Sequence, residues 1–174
     1  MTAAVSDDGG KPTGFEFVDG SATVLVSNRQ DGPVDEDALA GLAVTTLRGE
    51  GVEAFELSVS FVGPDEMSAL HETYMGEPGP TDVLSFPLDD DGGDDQRLLG
   101  DVVICPAYAA SNNDDLAAEL RLLLVHGVLH LLGHDHEEDA ERAEMWSRQE
   151  RYSGVSVDAA GVGRGANERP EVVR

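Results

Sequence analysis

Residues 53–62, EAFELSVSFV, alternate strictly: Phe55, Leu57, Val59 and Phe61 fall on one side of an extended chain, Glu56, Ser58 and Ser60 on the other. A period of two over that length predicts a half-buried strand. Strands are also predicted at TVLVSN (23–28), at DVLSFP (82–87), which stops at Pro87, and at LLGDVVIC (98–105). The last two flank DDDGGDD (89–95), a solvated loop, and are expected to pair as an antiparallel hairpin with a long connection.

Between the first two strands the period changes. Leu39, Leu42, Ala43, Thr46 and Leu47 recur at helical spacing, with Asp35, Glu36 and Asp37 where a helix N-terminus favours anions and Gly49 and Gly51 near its end. PDEMSALHETYM (64–75) opens on Pro64 and two acids and sets Met67, Leu70, His71 and Tyr74 on one face, a short helix. From Asp114 to Leu132 apolar residues run almost all round the helix, including Leu120, Leu122, Leu123, Leu124, Val125, Val128, Leu129, Leu131 and Leu132, so this helix is expected to be buried. Gly133 ends it. EEDAERAEMWSRQERY (137–152) reads as an exposed helix with Glu138–Arg142 and Glu144–Arg148 pairs. Residues 1–13 and 155–174 lack periodicity and are expected to be disordered, leaving one domain over 14–154. Strands and helices mix without regular alternation. The expected fold is a single α+β domain, a small mixed sheet packed with helices, one of them buried.

Composition narrows the class. A chain of 174 residues with 40% apolar residues holds one sizeable core, and no apolar run reaches the length of a membrane span. The N-terminus lacks the basic and apolar regions of a secretory signal, and Cys105 is the only cysteine. A cytoplasmic location is expected. The charge is unusual: 35 Asp and Glu against 11 Lys and Arg, net −24, with Lys11 the only lysine. The acids are spread along the chain, which fits a halophilic-type acidic surface screened by salt. Such a surface argues against nucleic-acid binding unless a metal and local arginines supply a positive field.

The candidate chemistry lies in HGVLHLLGHDH (126–136), which holds four of the five histidines. His126 and His130 are four apart and project from one helix face. The turn at Gly133 can return His136 to the same ion. The spacing H-x-x-x-H-x-x-G-x-x-H is that of a metalloprotease zinc motif except at Gly127, where the general-base Glu is missing. Three neutral imidazoles suit one Zn²⁺, and Ni, Cu, Fe or Co are compatible. A structural site would call for four protein ligands, whereas three histidines with an open position is the catalytic arrangement. His134 is a less suitable fourth ligand, and Asp135 reads as a group orienting an imidazole or capping the next helix. Without the base, peptide hydrolysis is disfavoured. A dipositive centre suits an anionic substrate such as a phosphodiester.

Taken with PTDVLSFP (80–87) and LGDVVICP (99–106), HGVLHLLGHDH resembles the signature of the YbeY family of bacterial endoribonucleases over residues 55–150. The resemblance implies a small α/β domain with a zinc site made by His126, His130 and His136 beside a cleft. It implies single-strand-specific RNA cleavage in 16S rRNA 3′-end maturation and ribosome quality control, with the small ribosomal subunit and a ribosome-associated GTPase as partners. Asp82, His134 and Asp135 are the further catalytic candidates. Thr81, Asp82, Ser85 and Asp101 also fit structural roles in turns and strands. Two positions depart from the family pattern. Met75 stands where an RNA-contacting Arg is common, and His134 where an aromatic residue is usual. Two other readings follow from these residues: a non-catalytic ribosome-assembly factor with a structural metal, which Met75 favours, and a zinc peptidase, which Gly127 disfavours.

Overall fold

A computed structural model describes residues 2–5, 13–88, 96–134, 138–156 and 171–172. Among the described residues, seven strands form one sheet: β1 (Thr2–Val5), β2 (Thr13–Asp19), β3 (Ala22–Arg29), β4 (Phe55–Val62), β5 (Val83–Pro87), β6 (Arg97–Ile104) and β7 (Glu171–Val172), in the spatial order β1-β2-β3-β4-β6-β5-β7. Also among the described residues are five helices: α1 (Glu36–Gly49), α2 (Pro64–Met75), α3 (Pro106–Ala109), α4 (Leu116–Leu131) and α5 (Asp139–Ser153). The sheet is mixed. β3, β4 and β6 run parallel, β2 is antiparallel to β3, and β5 is antiparallel to β6. The hairpin expected across the acidic loop is present, with Val83 opposite Ile104 and Pro87 opposite Gly100. Residues 89–95 lie outside the described residues.

The alternation of β4 decides where the core sits. Phe55, Leu57, Val59 and Phe61 join Leu39, Ala43 and Leu47 of α1 and Leu120, Leu124 and Val128 of α4 in the main core. The opposite face is covered at one end by α2, where Met67 packs with Val62, Leu84, Val103 and Cys105. Asp35 and Asp115 cap α1 and α4, each accepting a hydrogen bond three residues on, from Ala38 N and Ala118 N. α4 is buried nearly all round, as its composition requires.

The pattern differs from expectation in three places. β2 and the short α3 are not anticipated from sequence, although Phe15 and Phe17 alternate ahead of the tight turn at Gly20 and Ser21. α5 is not exposed all round: Met145, Gln149 and Ser153, spaced four apart, are buried, and Met145 packs on Val125 and Leu129 of α4. Glu144 pairs with Arg148 at 2.7 Å as expected, while Arg142 reaches Asp139 at 3.3 Å. At the chain ends, Thr2–Val5 pairs with β2 and Glu171–Val172 lies beside β5, and most of the rest of both expected tails falls outside the described residues.

Candidate functional site

His126 and His130 sit one turn apart on α4, both nearly buried, with their Nε2 atoms 2.8 Å apart and ring centroids 4.6 Å apart. The helix makes this unavoidable, because residues four apart lie one above the other on the same face. Two imidazole nitrogens converging from one buried face are a donor set that fits a divalent transition cation. His136 and Asp135 lie outside the described residues, and among the described residues no group of three potential ligands assembles.

The end of α4 directs the chain onward. Gly133 adopts φ 93°, its N–H bonds His130 O, and His134 N bonds Leu129 O at 3.1 Å. This paired pattern is a Schellman motif, which needs a left-handed residue and so a glycine. It fixes the backbone of His134 two residues before His136.

Gly127 has a packing role. A Cβ there would lie 2.8 Å from Val102 Cγ1 and 3.1 Å from Ser85 Oγ, and Ser85 Oγ donates to Gly127 O at 3.1 Å. Here α4 meets β5 and β6 at contact distance. The residue after the first histidine faces the sheet and leaves no space for a glutamate.

The other expected residues separate by face. Val102 and Ser85 point to α4, so Asp101, next to Val102 along β6, points to the other side of the sheet. Burial pushes the Asp101 carboxyl up, opposed by a hydrogen bond with Ser58. Asp82 is fully buried at the head of β5. Its Oδ1 accepts from Val83 N at 2.8 Å, its Oδ2 faces Asn112 Nδ2 at 3.4 Å, and its carbonyl accepts from Cys105 N. Thr81 is half-buried beside it. Met75 is half-buried against the apolar cluster of Val62, Met67 and Leu84, so the side chain at that position is spent on packing. The fifth histidine, His71, is buried on α2 with Nδ1 2.8 Å from Gly79 O, which pins the segment leading to Thr81.

His134 engages a cluster that sequence patterning does not reveal. Its Nε2 lies 2.9 Å from Glu50 Oε1. Arg148 Nη1 donates to both oxygens of that carboxylate at 2.7 Å, and Tyr152 OH donates to Oε2 at 2.6 Å. Burial alone would raise the Glu50 carboxyl, but the hydrogen bonds from Tyr152, His134 and Arg148 together outweigh it and hold it below its ordinary value. Only the i,i+4 spacing of Arg148 with Tyr152 is visible in sequence, and nothing there points to Glu50.

The profile of the family described as Endoribonuclease YbeY matches residues 25–154. A protein of that name from Streptomyces griseus is 44% identical over 141 residues, 73% of this chain and 86% of its own. Another, from Acidothermus cellulolyticus, is 41% identical over 163 residues, 84% of this chain and 99% of its own. The solution structure of TM1509 from Thermotoga maritima superposes with a TM-score of 0.50 at 28% identity, covering 75% of this chain and 86% of that one. With the family profile matching residues 25–154 and relatives at this identity over most of their length, the chain belongs to the YbeY family of endoribonucleases, hydrolases that cut RNA.

Proposed function

We propose that the chain is a metal-dependent, single-strand-specific endoribonuclease that matures the 3′ end of 16S rRNA and acts in ribosome quality control. The observation that carries this reading is the convergence of His126 and His130 Nε2 at 2.8 Å on a buried helix of an endoribonuclease-family chain. His126, His130 and His136 would hold one Zn²⁺, or another divalent metal. Bound zinc supplies Lewis acidity and lowers the pKa of a coordinated water. The chain's own residues orient that centre. α4 sets two imidazoles in register, Gly127 lets the helix close on the sheet, and the Gly133 turn fixes the backbone of His134, two residues before His136 in sequence. Asp82 and His134 already hold hydrogen bonds that fix β5 and the turn, which supports positioning roles for both, and Asp135 is the remaining candidate for proton transfer. The nucleophile is water or the RNA 2′-OH; products ending in 2′,3′-cyclic phosphate identify the second. The partners are the small ribosomal subunit and a ribosome-associated GTPase, in the cytoplasm. Peptidase activity is disfavoured because position 127 has no space for a base.

A second reading has one observation in its favour. Met75 packs into an apolar cluster and offers no cation to RNA phosphate, as a non-catalytic assembly factor with a structural metal would allow. His130→Ala separates the two. For an enzyme, metal content and cleavage of a single-stranded rRNA fragment fall to background while circular dichroism stays that of a folded chain. Loss of the fold together with the metal favours the assembly factor.

A further inference from the structure

Glu50 follows the last residue of α1 and is remote in sequence from every proposed ligand. Its side chain is only 5% exposed. Three donors from two other segments converge on it: His134 Nε2 from the turn after α4, and Arg148 Nη1 and Tyr152 OH from α5. Arg148 is itself held by Glu144 at 2.7 Å through Nη2. At Gly49 a Cβ would lie 2.7 Å from the Tyr152 hydroxyl oxygen, so the missing side chain is what lets Tyr152 reach across the end of α1.

The cluster's position gives it a consequence beyond stability. A buried charged cluster generally stabilises a fold no better than apolar residues of the same volume. What it supplies is direction, because each hydrogen bond fixes an angle as well as a distance. The backbone of His134 is already set by its bond to Leu129 O, and Glu50 now sets its ring. α5, which begins at Asp139, is tied to the same carboxylate by two side chains and packed onto α4 by Met145. The chain leaving α4 and the helix that receives it after residues 135–137 thus share one anchor. His136 lies between them in sequence.

We propose that Glu50 is a positioning residue for the metal centre: by anchoring His134, Arg148 and Tyr152 it fixes the end of the α4 turn and α5 against each other, on either side in sequence of His136, the third ligand proposed beside His126 and His130. This rests on the three-histidine reading above.

The test measures Zn²⁺ affinity of the full chain by competition with a chromophoric chelator, and the visible absorption of the Co²⁺-substituted protein. Glu50→Ala is expected to weaken zinc by about 10–100-fold, the range seen when groups that orient ligands are removed, and to alter the cobalt bands. Glu50→Gln keeps an acceptor oxygen and is expected to recover part of the affinity. Val44→Ala removes α1 core packing outside the cluster. It is expected to lower the melting temperature yet keep wild-type affinity and spectrum. Unchanged affinity in Glu50→Ala, or a loss that Val44→Ala matches at equal melting temperature, overturns the proposal. If Glu50→Ala does not fold, Glu50→Gln and Tyr152→Phe decide it by the same comparison: weakened zinc with altered cobalt bands supports it, and wild-type values overturn it. A wild-type chain that binds no zinc overturns the three-histidine reading and this proposal with it.

Discussion

Gly127 links packing to chemistry at the scale of one residue. Placing any side chain there drives it against Val102, whose β-branched side chain has few ways to yield. Gly127→Ala is expected to destabilise by about 1–3 kcal/mol, the cost of overpacking a filled contact, which urea unfolding measures. A variant as stable as wild type would mean that α4 is free to lift off the sheet. Met75 shows a related exchange, since a side chain packed among Val62, Met67 and Leu84 cannot also reach for phosphate. Both positions are recognisable in sequence as departures from a motif. Their physical meaning comes from the neighbours, Val102 and Ser85 in one case and the α2 cluster in the other.

At the scale of elements, α2 spans Pro64–Met75 as its proline start and apolar spacing dictate, and α4 is buried as its composition dictates. Local signals suffice for these. β2 rests on a short alternation that gains its meaning by pairing with β3 on one side and β1 on the other, and the buried stripe of α5 is one residue wide. Strand order is equally illegible, since pairing β4 with both β3 and β6 joins segments distant in the chain. The Glu50 cluster couples α1, the turn after α4 and α5, and it makes a pH prediction. The Glu50 carboxyl is lowered from an ordinary 4.5. A lowered carboxyl contributes stability that is present above the unfolded-state value and is lost as pH falls through the folded-state value. The melting-temperature gap between wild type and Glu50→Gln is therefore expected to be widest above about pH 5 and to close on acidification. A gap independent of pH from neutral to strongly acid would contradict this.

For the whole molecule, the net charge of −24 governs behaviour that no single contact explains. Like charges spread over one domain repel, and salt screens them within about 10 Å at 0.1 M. The melting temperature is expected to rise between low and molar KCl. RNA cleavage is expected to strengthen with moderate salt instead of falling steadily, the reverse of ordinary phosphate-driven binding. Activity that peaks at the lowest salt would refute the screening account.

The sequence alone determined whatever depends on neighbours along the chain: the helical period that puts His126 and His130 on one face, the glycine that ends α4, the alternation of β4, the charge and the family signature. The tertiary structure decided whatever depends on neighbours in space. It gave Gly127 its contact with β6, turned Asp101 away from α4, spent Met75 on packing, and brought Glu50 to His134, Arg148 and Tyr152. The physical reason is range. Helix and strand periodicity act over a few residues, whereas burial and hydrogen bonding between elements are fixed only once the chain has folded back on itself.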